Sequence, residues 1–451
     1  MRSDRKLRLV LLAVALCAGR SSSECVFQDD EGTIDCNLRI LDFRRNSSDS
    51  VPGVERAKAI NVLCSDVFFF ESQLRSDHFG SLPSLQELSI RFCKIRQLPP
   101  RSFVSLERLA SLTVNTFNAE WTSLELEPDY EALVGLERLK YLDLSLNNVR
   151  TLPHGLLCPL SNIETVNLTR NGILDLEDLG LSNRTKAEGR CKVHASSLVL
   201  SRNEITSAPP GALASLYRLE HLDLSFNNLA VLVESAFRDL GGLRVLNLSH
   251  NRLVALPPKI FTFTPRLKEL WLSNNSIGTV DIRAFRNLSQ LQVLNLSGNS
   301  LDENWIKPGI FDSLRALILL DLSANHISKV ESKLFTDLGS LQVLNLAHNQ
   351  IHTVSSNAFS AQLNLHIMVL SHNQLESLHH QTLTGLSVLS SLSLDHNRLH
   401  SLHPVALKNC SALRELSLNN NFLTQVCTYG LKWKWCKSFM FVCSDEYEFR
   451  S

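Results

Sequence analysis

Apolar positions along this chain recur in one phrase. In Leu243–Leu253 leucine stands first, fourth, sixth and eleventh, and asparagine stands ninth. The asparagine returns at Asn147, Asn171, Asn203, Asn227, Asn251, Asn275, Asn299, Asn325, Asn349, Asn373, Asn397 and Asn421. Neighbouring copies are 24 residues apart, except for a step of 32 from Asn171 to Asn203 and one of 26 from Asn299 to Asn325. Chance leucine richness does not hold one phase over hundreds of residues. A fixed period of this length marks a stacked-repeat architecture.

Within each copy, the L-x-L core (Leu246-Asn247-Leu248) alternates with period two and predicts a short strand. The second half adds an apolar pair, Phe237 with Leu240 or Phe285 with Leu288. One such unit cannot bury its leucines alone, but stacked units share a continuous core. The phrase is that of the leucine-rich repeat. The expected fold is therefore α/β: a leucine-rich-repeat solenoid (horseshoe) with a parallel β-sheet on the concave face and an irregular or short-helical convex side. The repeat asparagine is expected to turn inward and bond backbone groups that the loops leave unpaired.

Regular copies begin at Leu85, Leu109, Leu139, Ile163, Ala195, Leu219, Leu243, Leu267, Leu291, Leu317, Leu341, Leu365, Leu389 and Leu413. The copy at Leu109 carries extra residues around Glu120-Trp121, and that at Ile163 carries the polar insertion Asp178–Glu188. Residues 57–84 form a divergent first coil, so the solenoid is expected over 57–426. Residues 1–23 read as a secretory signal. Arg2, Arg5, Lys6 and Arg8 precede the short apolar run Leu9–Ala18, and small residues follow to Ser23. Residues 24–56 are expected to form an N-terminal disulfide cap. Residues 427–451 depart from the pattern and carry Trp433, Trp435 and Phe439–Val442. Two readings fit this tail: an improvised cap, and sequence read through from outside the normal coding frame, which is favoured.

A secreted chain folds in an oxidising compartment, so cysteine spacing becomes informative. Cys25 and Cys36 suit the cap. A Cys64–Cys93 bridge between neighbouring coils and a buried thiol at Cys93 fit equally. Cys158 and Cys191 fall at nearly the same phase of adjacent coils, which favours a bridge over free thiols. Cys410 takes a leucine position and is expected in the core.

Charge and motifs narrow the function. The 45 basic residues balance the 45 acidic ones, which argues against a nucleic-acid partner and against a polybasic membrane anchor. There is no glycine-rich phosphate loop, no G-x-S-x-G, no H-E-x-x-H and no C-x-x-C. No catalytic, cofactor-binding or metal-ligating set is assigned and no cofactor is implied; the chain is read as a binding protein, not an enzyme. The middle residue of each L-x-L should face the concave surface. In order these are Ser89, Thr113, Asp143, Asn167, Val199, Asp223, Asn247, Trp271, Asn295, Asp321, Asn345, Val369, Ser393 and Ser417. Asn167, Asn247 and Asn295 begin N-x-S/T sequons, as do Asn46, Asn183, Asn274, Asn287 and Asn409. Glycans at Asn247 and Asn295 would flank Trp271 and shield that part of the face. Trp271 then reads equally as a binding anchor or as a solvent-facing aromatic between glycans. His348, His372 and His396 precede the repeat asparagine one copy apart. Common filling of that slot is favoured over acid sensing, and His250 shows the same filling alone.

More specific signatures lie towards the N-terminus: CSDVFFFE at Cys64–Glu71, LQELSIRFCKIRQLP at Leu85–Pro99, the long coil from Leu109, and LPHGLLCPL at Leu152–Leu160 with Cys191. Through these residues the chain resembles the extracellular part of an arthropod Toll receptor of the long-ectodomain type, over roughly residues 25–426. The resemblance implies an extracellular protein ligand or another receptor chain as partner, dimerisation on ligand binding, and a role in innate immune or developmental signalling. In that family one membrane span and a cytoplasmic TIR domain follow; neither is found here, nor is the usual cysteine-rich C-terminal cap. The chain as given is expected to be secreted, and to sit at the plasma membrane, ectodomain outside, if a longer form exists. A secreted structural or adhesive matrix protein, or a soluble decoy, is the alternative.

Overall fold

The computed structural model describes residues 24–28, 30–41, 54–65, 70–75, 79, 82–118, 124–182, 192–305, 307–402 and 404–423. The expected signal segment, Asn46, Trp121, Asn183, Cys191 and the tail after Leu423 lie outside them. The chain divides into two compact units. One comprises residues 1–228 with 238–243; the other comprises 229–237 with 244–451.

In the first unit, Glu24–Gln28 pairs antiparallel with Thr33–Leu38 around a turn closed by Gly32, whose φ is 65°. Cys25 faces Cys36 in this hairpin and is disulfide-bonded to it. Thr33–Leu38 then pairs parallel with Ala59–Cys64, and one strand per coil follows: Glu87–Arg91, Ser111–Asn115, Tyr141–Asp143, Thr165–Asn167, Ser197–Val199 and His221–Asp223. The antiparallel hairpin thus covers the first parallel edge. A second disulfide, Cys64–Cys93, ties two successive coils, so Cys93 is not a free thiol. Cys158 is also disulfide-bonded, while Cys191 lies outside the described residues.

The second unit repeats one coil with little variation. Val245–Asn247, Glu269–Trp271, Val293–Asn295, Leu319–Asp321, Val343–Asn345, Ile367–Val369, Ser391–Ser393 and Glu415–Ser417 pair in parallel, like residue against like residue. Each three-residue strand buries its central residue, the first leucine of L-x-L or, in Ile367–Val369, Met368. Behind the leucines, Phe237, Phe261, Phe285, Phe311, Phe335 and Phe359 stack in one column, with centroids 5.9–6.4 Å apart. On the far side from the strands, the first unit has the two-residue ladder Gln97–Leu98 with Glu127–Pro128. The second has Ala255–Leu256 with Thr279–Val280, and Lys329–Val330 with Thr353–Val354. Short 3-10 helices stand at Leu176–Leu179 and Pro404–Leu407. The first of these opens the polar insertion and is capped at both ends, by the Asp175 side chain and by Gly180 at φ 62°.

The repeat asparagine explains how so little regular structure holds together. Asn299 donates from Nδ2 to the carbonyls of Leu296 in its own coil (2.9 Å) and Leu272 in the preceding one (3.0 Å), while its Oδ1 accepts from Ile277 N–H (3.0 Å). Asn349, Asn373 and Asn397 do the same. Each amide thus pairs buried backbone groups that no strand ladder reaches.

Candidate ligand-binding surface

Strand side chains alternate, so the residues flanking each buried leucine emerge on one face. In the second unit this gives two parallel rows. One is the expected row, Asn247, Trp271, Asn295, Asp321, Asn345 and Val369, half-buried throughout. The other consists of the residues two places earlier: Val245, Glu269, Val293, Leu319, Val343, Ile367, Ser391 and Glu415. It is apolar from Val293 to Ile367 and polar at Glu269, Ser391 and Glu415, and Ile367 is 39 % exposed. Period-two logic applied one step further would have found it, since the residue before the first leucine shares the face of the residue after it.

Most acidic and amide residues of the first row also finish their own strand. Asp143, Asp223 and Asp321 each accept from the backbone N–H two residues on, at 2.8–2.9 Å. The sequon asparagines do likewise: Asn167 to Thr169 N–H (3.1 Å), Asn247 to Ser249 N–H (3.0 Å) and Asn295 to Ser297 N–H (2.9 Å). These contacts engage Oδ1, whereas a glycan is attached at Nδ2. Trp271 sits in register between Asn247 and Asn295, and its Nε1–H donates to Glu269 Oε2 at 3.2 Å. Strands lie about 4.8 Å apart, so sugars on both asparagines would stand against the indole on either side.

Of the other sequons, Asn274, Asn287 and Asn409 are exposed, and Asn274 Nδ2 meets His250 Nε2 at 3.2 Å. Asn46 and Asn183 fall outside the described residues. Cys410 is buried and free, and burial pushes its thiol up from 9.0 to about 11.

A second surface feature is a column formed by the residue before each repeat asparagine. In the second unit it is left-handed in coil after coil: His250, Asn274, Gly298, Ala324, His348, His372, His396 and Asn420 have φ between 52° and 63°. Its backbone N–H reaches a carbonyl of the next coil, as from His348 to Ser371. Histidine and asparagine tolerate this conformation better than most side chains do. The column brings together the three histidines singled out from the sequence. His348 stacks on His372 at 4.1 Å and His372 on His396 at 4.0 Å between centroids. Burial, then the His348 and His396 rings on either side, lower the pKa of His372, with Asp395 opposing. Asp395 went unremarked in the sequence, although D-H-N departs visibly from the A-H-N and S-H-N of the two preceding copies.

The family profile described as Leucine rich repeat matches residues 194–253, 241–301, 304–351, 315–361 and 363–423, together half of the chain. The chain belongs to the leucine-rich-repeat family. It is 37% identical over 218 residues to Toll-like receptor 7 of Drosophila melanogaster, a match covering 47% of this chain and 15% of that protein. The chain thus spans well under a fifth of that relative's length. Two solved structures share the fold. The Toll–Spatzle complex of Drosophila has TM-score 0.64 and 23% identity, covering 82% of this chain and 48% of that one. The mouse RP105/MD-1 complex has TM-score 0.59 and 22% identity, covering 87% of this chain and 76% of that one. Among the described residues, no helix is long and apolar enough to cross a membrane.

Proposed function

We propose that this chain is the extracellular ligand-binding region of a Toll-type receptor, recognising a secreted protein or a second receptor chain by surface complementarity and not by catalysis. The observation that carries this reading is the 37% identity over 218 residues to Toll-like receptor 7. The fold agrees with it: Toll and RP105 are seen with protein partners on the same architecture. In our reading, glycans at Asn247 and Asn295 shield the strands around Trp271. The partner then uses a flank, an end or the far side. Charge balance over the whole chain does not by itself exclude nucleic acid, because binding charges act locally. A protein ligand is preferred here because the Toll–Spatzle and RP105/MD-1 complexes share the fold. The chain is expected outside the cell, either secreted or carried on a longer membrane-bound form.

Transcript sequencing across the codons for Val426 and Cys427 tests the receptor part of this reading. Messages that continue in frame into a membrane span and a TIR domain support it. Messages that end after Ser451 overturn it in favour of a secreted binder or decoy.

A further inference from the structure

The late histidine column does more than fill a left-handed slot. His348, His372 and His396 hold the same φ of 53° on three consecutive coils, and all three are exposed. A carboxylate enters the column only at its end. The residue before the histidine is Ala347, then Ser371, then Asp395. Ligand atoms of His372, Asp395 and His396 all lie within 4.8 Å of one another.

We infer that His372, Asp395 and His396 form a surface site for one divalent transition-metal ion of borderline softness, with Zn²⁺ as its simplest occupant. Two imidazoles and a carboxylate are a donor set that such ions accept, leaving a fourth position facing solvent. A tetrahedral ion with bonds of ~2.0–2.1 Å needs donors roughly 3.3 Å apart. The donor atoms, within 4.8 Å of one another, would have to close to that spacing when the ion binds. One outer contact is in place: Ser393 Oγ donates to Asp395 Oδ1. His396 Nε2 meets Asn420 Nδ2 at 2.8 Å. An amide nitrogen donates, so that contact occupies the lone pair of His396 Nε2, and an ion bound there takes the amide's place. His348 stacks on the outer side of His372 and is a positioning residue, limiting how that ring can turn. The inference does not depend on the receptor reading.

The test is calorimetric titration of the full chain, free of any polyhistidine tag, with zinc chloride at about pH 7.5, where the ligands are deprotonated. One ion per chain is expected. His372→Asn should weaken binding at least tenfold, and Asp395→Asn should do the same. His250→Asn, at the same slot on an earlier coil, should leave it unchanged. Asn274 and Asn420 already occupy this slot at φ 54° and 53°, so His372→Asn keeps the backbone. A zinc-dependent rise in Tm, present in wild type and absent in both site variants, should accompany binding. Zinc binding unchanged in His372→Asn, an equal loss in His250→Asn, or no saturable binding to wild type would overturn the site.

Discussion

Asn299 shows what a single residue does in this chain. It is buried, and its amide serves three carbonyls and one backbone N–H from two coils. Asn299→Ala would leave those groups buried and unpaired, at a cost of roughly 3 kcal/mol. Urea unfolding should show the loss, and hydrogen exchange should quicken at the Ile277 amide, which Asn299 Oδ1 holds. The inward role of this asparagine was legible because the motif repeats at fixed phase. It was not legible in the copy at Leu109, where the strand Ser111–Asn115 runs to five residues. There the left-handed position falls on Phe117, and Asn118 reaches back to Ile95 O at 3.1 Å. One inserted residue moves the functional asparagine off the pattern. Cys410 gives a pH-dependent prediction. Its thiol keeps its proton to about pH 11 when folded, against 9.0 ordinarily. The unfolded chain therefore binds fewer protons between those values, and raising the pH through that window favours unfolding. Peptide mapping after iodoacetamide treatment should find Cys410 unlabelled in the native chain and labelled in urea; labelling at similar rates in both would contradict its burial.

The phenylalanine column decides stability at the scale of the element. Phe285 is 1 % exposed and lies 6.4 Å from both Phe261 and Phe311. Phe285→Ala should cost about 3–5 kcal/mol, the range for emptying a buried aromatic site. Phe285→Leu should cost clearly less, and the two midpoints in urea compare them directly. Strands, leucine core and this column were readable from period alone, because each repeat states its own burial. The two-residue ladders opposite the strands were not. Pairs such as Ala255–Leu256 and Thr279–Val280 are too short to carry a periodic signal, and only stacking brings them into register. The disulfides divide in the same way. The Cys25–Cys36 pairing follows from a hairpin that lines the two residues up, whereas Cys64–Cys93 depended on how two irregular coils stack.

Beyond the single coil, repetition within the second unit turns small local choices into long surfaces: two rows on the strand face and one left-handed column. The polar row and its sequons are legible in the L-x-L phrase, whereas the row beside it, apolar from Val293 to Ile367, lies at the position before the first leucine, where the repeat fixes no residue type. Glycopeptide mapping of the secreted chain should find Asn247 and Asn295 occupied. If both are bare, the shielded face around Trp271 is lost and that indole becomes the natural anchor for a partner. That this chain binds extracellular protein is most directly tested by surface plasmon resonance of the expressed, glycosylated chain against the secreted proteins of its own source tissue. Saturable binding that survives Trp271→Ala is the result expected of a partner docking away from the shielded strands. Absence of saturable binding, with the chain instead retained in deposited matrix, would contradict it and leave a structural or adhesive role in its place.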